Sequence, residues 1–156
     1  MTTLRELFGG AIVAHIPSTF IDVSEIRDIA DNQEVFANVN SDQSIIIEIL
    51  QYVNEPSNED AVSSDTPKYF LVGQQQISKF NERDPSARNL VTILMALFRF
   101  PNIQTDIVVT WNIPVIIGAT SSSRLIAQEG DVNEGYQEFK NILASFEIKD
   151  WGLFNA

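Results

Sequence analysis

The side chains that could do chemistry are few and mostly of one kind. Histidine occurs once, at His15, and cysteine is absent. Without cysteine there is no thiol nucleophile, no Cys-ligated zinc and no disulfide framework. His15 sits inside the β-branched run GGAIVAHIP (9–17). No Ser or Thr stands in a pattern that would use it as a base, so it reads as a structural residue of a strand. A G-x-S-x-G elbow, a P-loop, an H-E-x-x-H helix and an EF-hand loop are all missing, and Gly73 in LVGQQQ is a lone glycine. What remains is carboxylate. STFIDVSEIRDIADNQEVF (18–36) carries Asp22, Glu25, Asp28, Asp31 and Glu34 against one base, Arg27. Two carboxylates hydrolyse glycosides when they face each other across a cleft in unlike environments. These are close neighbours in a polar stretch and read as solvated. The expectation is therefore no catalytic residue, no metal ligand and no cofactor.

The charge is distributed unevenly. The 156 residues have a net charge of −11. Residues 1–65 hold twelve acids and two bases, a net −10, whereas residues 66–156 hold nine acids and eight bases, a net −1. Nucleic acid demands a basic surface and anionic lipid attracts one, so both are excluded as expected partners. A basic protein surface fits, because opposite potentials speed encounter. The competing reading is that the acidity only confers solubility. No apolar run reaches the roughly 18 residues that span a bilayer, and the N-terminus lacks a signal-peptide pattern.

The elements that must carry these residues are legible to different degrees. GGAIVAHIP reads as a strand entered from a Gly-Gly turn. Asp22-x-x-Glu25 reads as a capping box opening a short helix over 23–29. EVFANV (34–39) alternates as a strand. In SDQSIIIEILQYV (41–53) three consecutive Ile favour strand, with Ile45, Ile47, Ile49 and Gln51 on one face and Ile46, Glu48 and Leu50 on the other. NEPSNEDAVSSDTP (54–67) is an acidic loop, and KYFLVGQQQISKF a strand. Within it Gln74 and Gln76 face one way and Gln75 the other, as a solvated face or a polar recognition surface. RNLVTILMALFRF (88–100) is a buried strand or a buried helix, and IVVTWNIPVII is β-rich. If both are strands, PNIQ joins them as a hairpin. Val132, Tyr136, Phe139, Ile142, Leu143 and Phe146 form one helical stripe behind the N-cap Asp131. The sum is an α+β domain over residues 1–156, an antiparallel sheet with helices packed on it.

Several of these segments, taken in order, resemble a known family. LFGGAI (7–12), FIDVSEIR (20–27), DNQEVF (31–36), DQSIIIEIL (42–50), GQQQISKFN (73–81), QTDIVVTWNIP (104–114) and the closing DWGLF resemble the Ran guanine-nucleotide release factor, or Mog-one, family. The resemblance implies a twisted, mainly antiparallel sheet between helices, an α-β-α sandwich shared with the photosystem protein PsbP. It also implies a function: binding the small GTPase Ran, promoting guanine-nucleotide release and supporting nuclear import. Such a factor acts by binding and not by covalent catalysis, as a monomer, in nucleus and cytoplasm. Matched position by position, it implies Ran-binding roles for Asp22, Arg27, Asp31, Asn32, Glu34, Asp42 and Glu48. Three features depart from the family pattern. Ala30 replaces the usual Pro, which predicts a looser turn. Gln51 replaces an acid, and the connection after the IEIL strand is markedly shortened. The alternative is an adaptor domain that binds another basic protein without exchange activity. A carrier or enzyme using a pocket in the sheet is a third class that the fold alone leaves open.

Overall fold

The two runs that periodicity leaves open, 88–100 and 105–116, are both strands. In a pleated strand alternate residues share a face. Leu94, Ala96, Phe98 and Phe100 therefore meet Ile107, Val109, Trp111 and Ile113 in one sealed layer. The computed structural model describes residues 1–53, 69–78, 83–125 and 129–155. Its strands are β1 (Thr2–Leu7), β2 (Ile12–Pro17), β3 (Ile21–Asp22), β4 (Gln33–Asn38), β5 (Gln43–Gln51), β6 (Tyr69–Ile77), β7 (Asn89–Phe100), β8 (Thr105–Ile116) and β9 (Glu147–Ile148). The helix α1 spans Val132–Ser145. The loop expected over 54–67 lies outside the described residues.

Every pairing is antiparallel. Six strands form a sheet in the order β3-β4-β5-β8-β7-β6, and β1-β2-β9 form a second, smaller sheet. A single sheet is the expectation from sequence, and the second one is a correction. It arises because Thr2–Leu7, unassigned from sequence, pairs residue for residue with β2. The hairpin between β7 and β8 turns through Pro101–Ile103, with Gln104 in the left-handed region at φ 51.

The six-stranded sheet has two distinct faces. Its inner face packs against β2 and α1 in one apolar cluster that includes Leu7, Ile12, Ile16, Phe36, Ile45, Ile47, Trp111, Phe139 and Ile142. Phe139 meets Trp111 edge-on at 6.3 Å and Phe70 at 5.7 Å. Gly135 lets the helix close on the sheet, because a Cβ there would stand 2.4 Å from Ile113 Cδ1. Asp131 caps α1 as expected, accepting from the Asn133 and Glu134 amides.

The short helix expected over 23–29 is a single 3-10 turn, Val23–Glu25. Asp22 does cap it, through the Ser24 amide and hydroxyl. It goes no further because only Val23 is buried there and Ile26 is 69% exposed, so no apolar stripe compensates the cost of helix nucleation.

Candidate functional site

The acidic residues fall at the end of the six-stranded sheet where β3, β4 and β5 meet. The β4–β5 register places Gln33 opposite Glu48, and the Gln33 amide donates to Glu48 Oε1 at 2.6 Å. One residue earlier, Asn32 is tied to β5 twice: its carbonyl accepts the Ile49 amide and its side chain donates to the Ile49 carbonyl. The turn before it is closed, not loose, since Gln33 N–H donates to the Ala30 carbonyl at 2.9 Å. Asp31, at the tip of that turn, is exposed. Arg27 is exposed with its amide on the Val23 carbonyl, and its guanidinium makes no ion pair among the described residues.

Glu34 is different in kind. Alternation puts it with Phe36 on the inner face, while its neighbours along the strand, Gln33 and Val35, face outward. Its carboxylate accepts the Phe8 amide at 2.6 Å. Phe8 and Gly9 both adopt left-handed backbone, φ 50 and 70, so Glu34 fastens the strained turn between β1 and β2. Partial burial raises the Glu34 pKa above its ordinary 4.5; the Phe8 bond opposes that and the Asp22 charge adds to it. A carboxyl with a raised folded pKa holds its proton more tightly folded than unfolded. Its charging therefore destabilises the fold as pH climbs from the ordinary value through the raised one. Glu34→Gln keeps an acceptor for Phe8 and removes the charge. Thermal unfolding should find it at least as stable as wild type at neutral pH, with a shallower decline between about pH 4 and 7. A clear loss at neutral pH would show that the charged bond outweighs desolvation.

Asp42 stands apart. It is the last residue of the turn at the other end of β4–β5, six residues from Glu48 along extended chain, about 20 Å away. It has left-handed backbone at φ 55, and its carboxylate accepts the Ser123 hydroxyl at 3.1 Å. Six of the seven expected residues thus share one end of the sheet, and Asp42 does not join them. Gln33, which holds Glu48 in place, is a member that sequence reasoning passed over. His15, expected to be a satisfied strand residue, is exposed on β2 opposite Leu4.

A second acidic concavity, of about 360 Å³, lies beside α1 and includes Glu129, Asp131, Glu134 and Glu138. Two of these have local work: Asp131 caps the helix and Glu129 accepts from Arg124 and the Ile117 amide. No three His, Asp or Glu side chains converge to hold an ion among the described residues.

Comparison with known proteins bears on the first cluster. The model of the family described as Ran-interacting Mog1 protein matches residues 5–64 and 58–114. This chain belongs to the Ran-interacting Mog1 protein family. A probable Ran guanine nucleotide release factor of Dictyostelium discoideum is 35% identical over 188 positions, covering 96% of this chain and 95% of the relative. The Ran guanine nucleotide release factor of Danio rerio is 36% identical over 184 positions, covering 96% and 98%. The crystal structure of the Saccharomyces cerevisiae Ran-binding protein Mog1p superposes with a TM-score of 0.68 at 23% identity, over 99% of this chain and 98% of that one. That likeness shows the Mog1 fold, an α+β fold built on antiparallel sheet, for this chain. Both pieces of the family match cover the acidic end, from Asp22 to Glu48 in the first and the β8 strand beside it in the second.

Proposed function

We propose that this Mog1-family chain binds the GTPase Ran and promotes release of its guanine nucleotide, in support of nuclear protein import, through the carboxylates at the β3–β4–β5 end. The family name and the names of its relatives support the partner and the activity. The observation that carries the site is Asp31 and Glu48 held by ordered backbone and by Gln33, with no base paired to either among the described residues. A fixed anionic edge can meet a basic surface without first breaking its own ion pairs. Release then follows from binding alone: the factor holds the nucleotide-poor GTPase more tightly than the loaded one, and that difference in affinity is the whole effect. No bond is made or broken, and no cofactor is needed. The chain works as a monomer wherever Ran is found, in nucleus and cytoplasm.

The test is release of a fluorescent guanine nucleotide from Ran. Asp31→Lys with Glu48→Lys should slow release to the intrinsic rate of Ran. The fold should survive: Asp31 is exposed, and losing the half-buried Glu48 carboxylate with its Gln33 bond costs about 1 kcal/mol, a small part of a domain's stability. Asp42→Lys, at the far end, should release nucleotide as wild type does. Unchanged release by the double variant would remove the patch. A wild type that retains neither loaded nor nucleotide-free Ran in a pull-down would leave the adaptor reading in its place.

A further inference from the structure

We propose that the open edge of β6 is a docking site for an extended peptide of another protein, which adds a further strand to the sheet beside α1. β6 ends the six-stranded sheet. One of its edges pairs with β7 over the whole length, Tyr69 to Ile77, and among the described residues nothing pairs with the other. In an antiparallel strand every second residue turns its N–H and C=O away from the neighbour, so β6 presents a row of such groups at that edge. The remaining sheet edges are blunted. β3 and β9 are two residues long, and β1 carries Arg5 and Glu6. Shortness and charge are what keep an edge from recruiting another strand. β6 has neither: YFLVGQQQI is nine residues long, uncharged, free of proline and without a bulge.

The edge runs beside a wall. Phe70, Val72, Gln74 and Gln76 share the side of the sheet that α1 covers. The Phe70 ring stands 5.6 Å from Tyr136 and 5.7 Å from Phe139, and the Gln74 amide donates to the Thr92 hydroxyl at 3.4 Å. Phe70 is nonetheless 42% exposed, Val72 53% and Tyr136 36%. The helix therefore reaches only their inner sides and leaves a strip of apolar surface along the β6 edge. A strand laid on that edge would place every second side chain in the strip, against Phe70, Val72 and Tyr136. An unpaired strand edge flanked by a helix offers backbone for affinity and side-chain surface for selection.

The chemistry of the occupant follows from the groups it meets. Open N–H and C=O groups call for a partner with the same groups unpaired, an extended chain and not a helix. Running antiparallel to β6, its inward side chains meet Gln76, Gln74, Val72 and Phe70 in that order, so two polar residues followed by two apolar ones fit. Lys140 lies 4.8 Å over the Tyr136 ring and forms no ion pair among the described residues, so a carboxylate beyond the apolar positions completes the match. A second copy of this chain suits the edge less, because two chains of net −11 repel and β6 carries no carboxylate to offer Lys140. The proposal neither uses Ran nor involves the carboxylates at the β3–β4–β5 end, so a failed release assay leaves it standing.

The probe is the synthetic peptide Ser-Thr-Ser-Thr-Ser-Ile-Ser-Ile-Ser-Glu, with a scrambled peptide of the same composition as control. Amide NMR of the full chain should show saturable shifts along Tyr69–Ile77 and at Tyr136. At saturation, hydrogen exchange of alternate β6 amides should slow at least about tenfold. N-methylating alternate peptide residues should abolish binding in one set, whose N–H groups face β6, and leave it in the other. Val72→Lys, which puts a charge on the edge, should weaken binding at least about tenfold while melting cooperatively. The N-methyl comparison uses the wild-type chain and so holds even if that variant does not fold. The proposal falls if the peptide gives no shifts, if the shifts centre on the acidic concavity beside α1, if the scrambled peptide or both N-methyl sets bind equally, or if folded Val72→Lys binds as wild type does. A wild-type chain that sediments as a dimer with the alternate β6 amides already protected would give the edge to a second copy and also overturn it.

Discussion

Arg99→Ala is expected to cost about 3–5 kcal/mol of stability, as removing one partner of a buried ion pair does. Arg99 and Asp106 are 6% and 7% exposed, and the guanidinium meets both carboxylate oxygens, at 3.0 and 3.2 Å. It also donates to the Val53 carbonyl and stacks on Tyr52, 4.3 Å from the ring centroid. Alanine would leave Asp106 dry and alone, and would release the Val53 carbonyl just after β5. Urea unfolding measures the loss. The cost belongs to the orphaned charge and not to the pair, so Arg99→Met with Asp106→Leu should recover most of it. A loss below about 1 kcal/mol for Arg99→Ala would show that water reaches the site.

This pair also shows where sequence reasoning stops. Arg99 and Asp106 flank the turn PNIQT, but they meet only if 88–100 is a strand, and a continuous apolar run is equally a buried helix. Both faces of β7 are apolar because its inner face meets α1 while its outer face carries Ile93, Met95 and Leu97. The stripe of α1 was legible because that helix buries one side only, Gly135, Phe139 and Ile142. Strand β1 escaped because TTLREL is mostly exposed and carries no alternation strong enough to separate it from a loop. Two-residue β9 exists only because β2 is there to pair with it.

The acidic site divides the same way. That Glu34 faces inward follows from the alternation of EVFANV, in which it shares a side with Phe36. That Asp42 lies far from Glu48 follows from reading 41–53 as extended chain. Both signals were present in the sequence, and treating the acids as one patch concealed them. The bond from Gln33 to Glu48 was not legible, because it depends on the register of two strands, which a one-residue slip would undo. The left-handed turn at Phe8 and Gly9, the reason Glu34 is drawn inward, was signalled only by the glycine pair.

Trp111→Ala is the second large loss, expected at about 3–5 kcal/mol by thermal or urea unfolding. Trp111 is fully buried in β8, opposite Ile45 of β5 and Leu94 of β7. Its ring receives Phe20 edge-on at 5.4 Å from one element and Phe139 at 6.3 Å from another, so it joins α1 to the chain that leads into β3. Its indole N–H donates to Gln43 at the start of β5, at 2.9 Å. Phenylalanine at this position keeps a ring for both partners and loses only the indole bond and part of the volume, so Trp111→Phe should cost less than half as much. A domain of this size holds about 5–15 kcal/mol in total. Trp111→Ala should therefore melt α1 away from the sheet before the β4–β5 hairpin opens, seen as early loss of amide protection over 132–145. Equal losses for Trp111→Ala and Trp111→Phe would place the energy in the indole bond instead, and would predict that Gln43→Leu destabilises as severely as either.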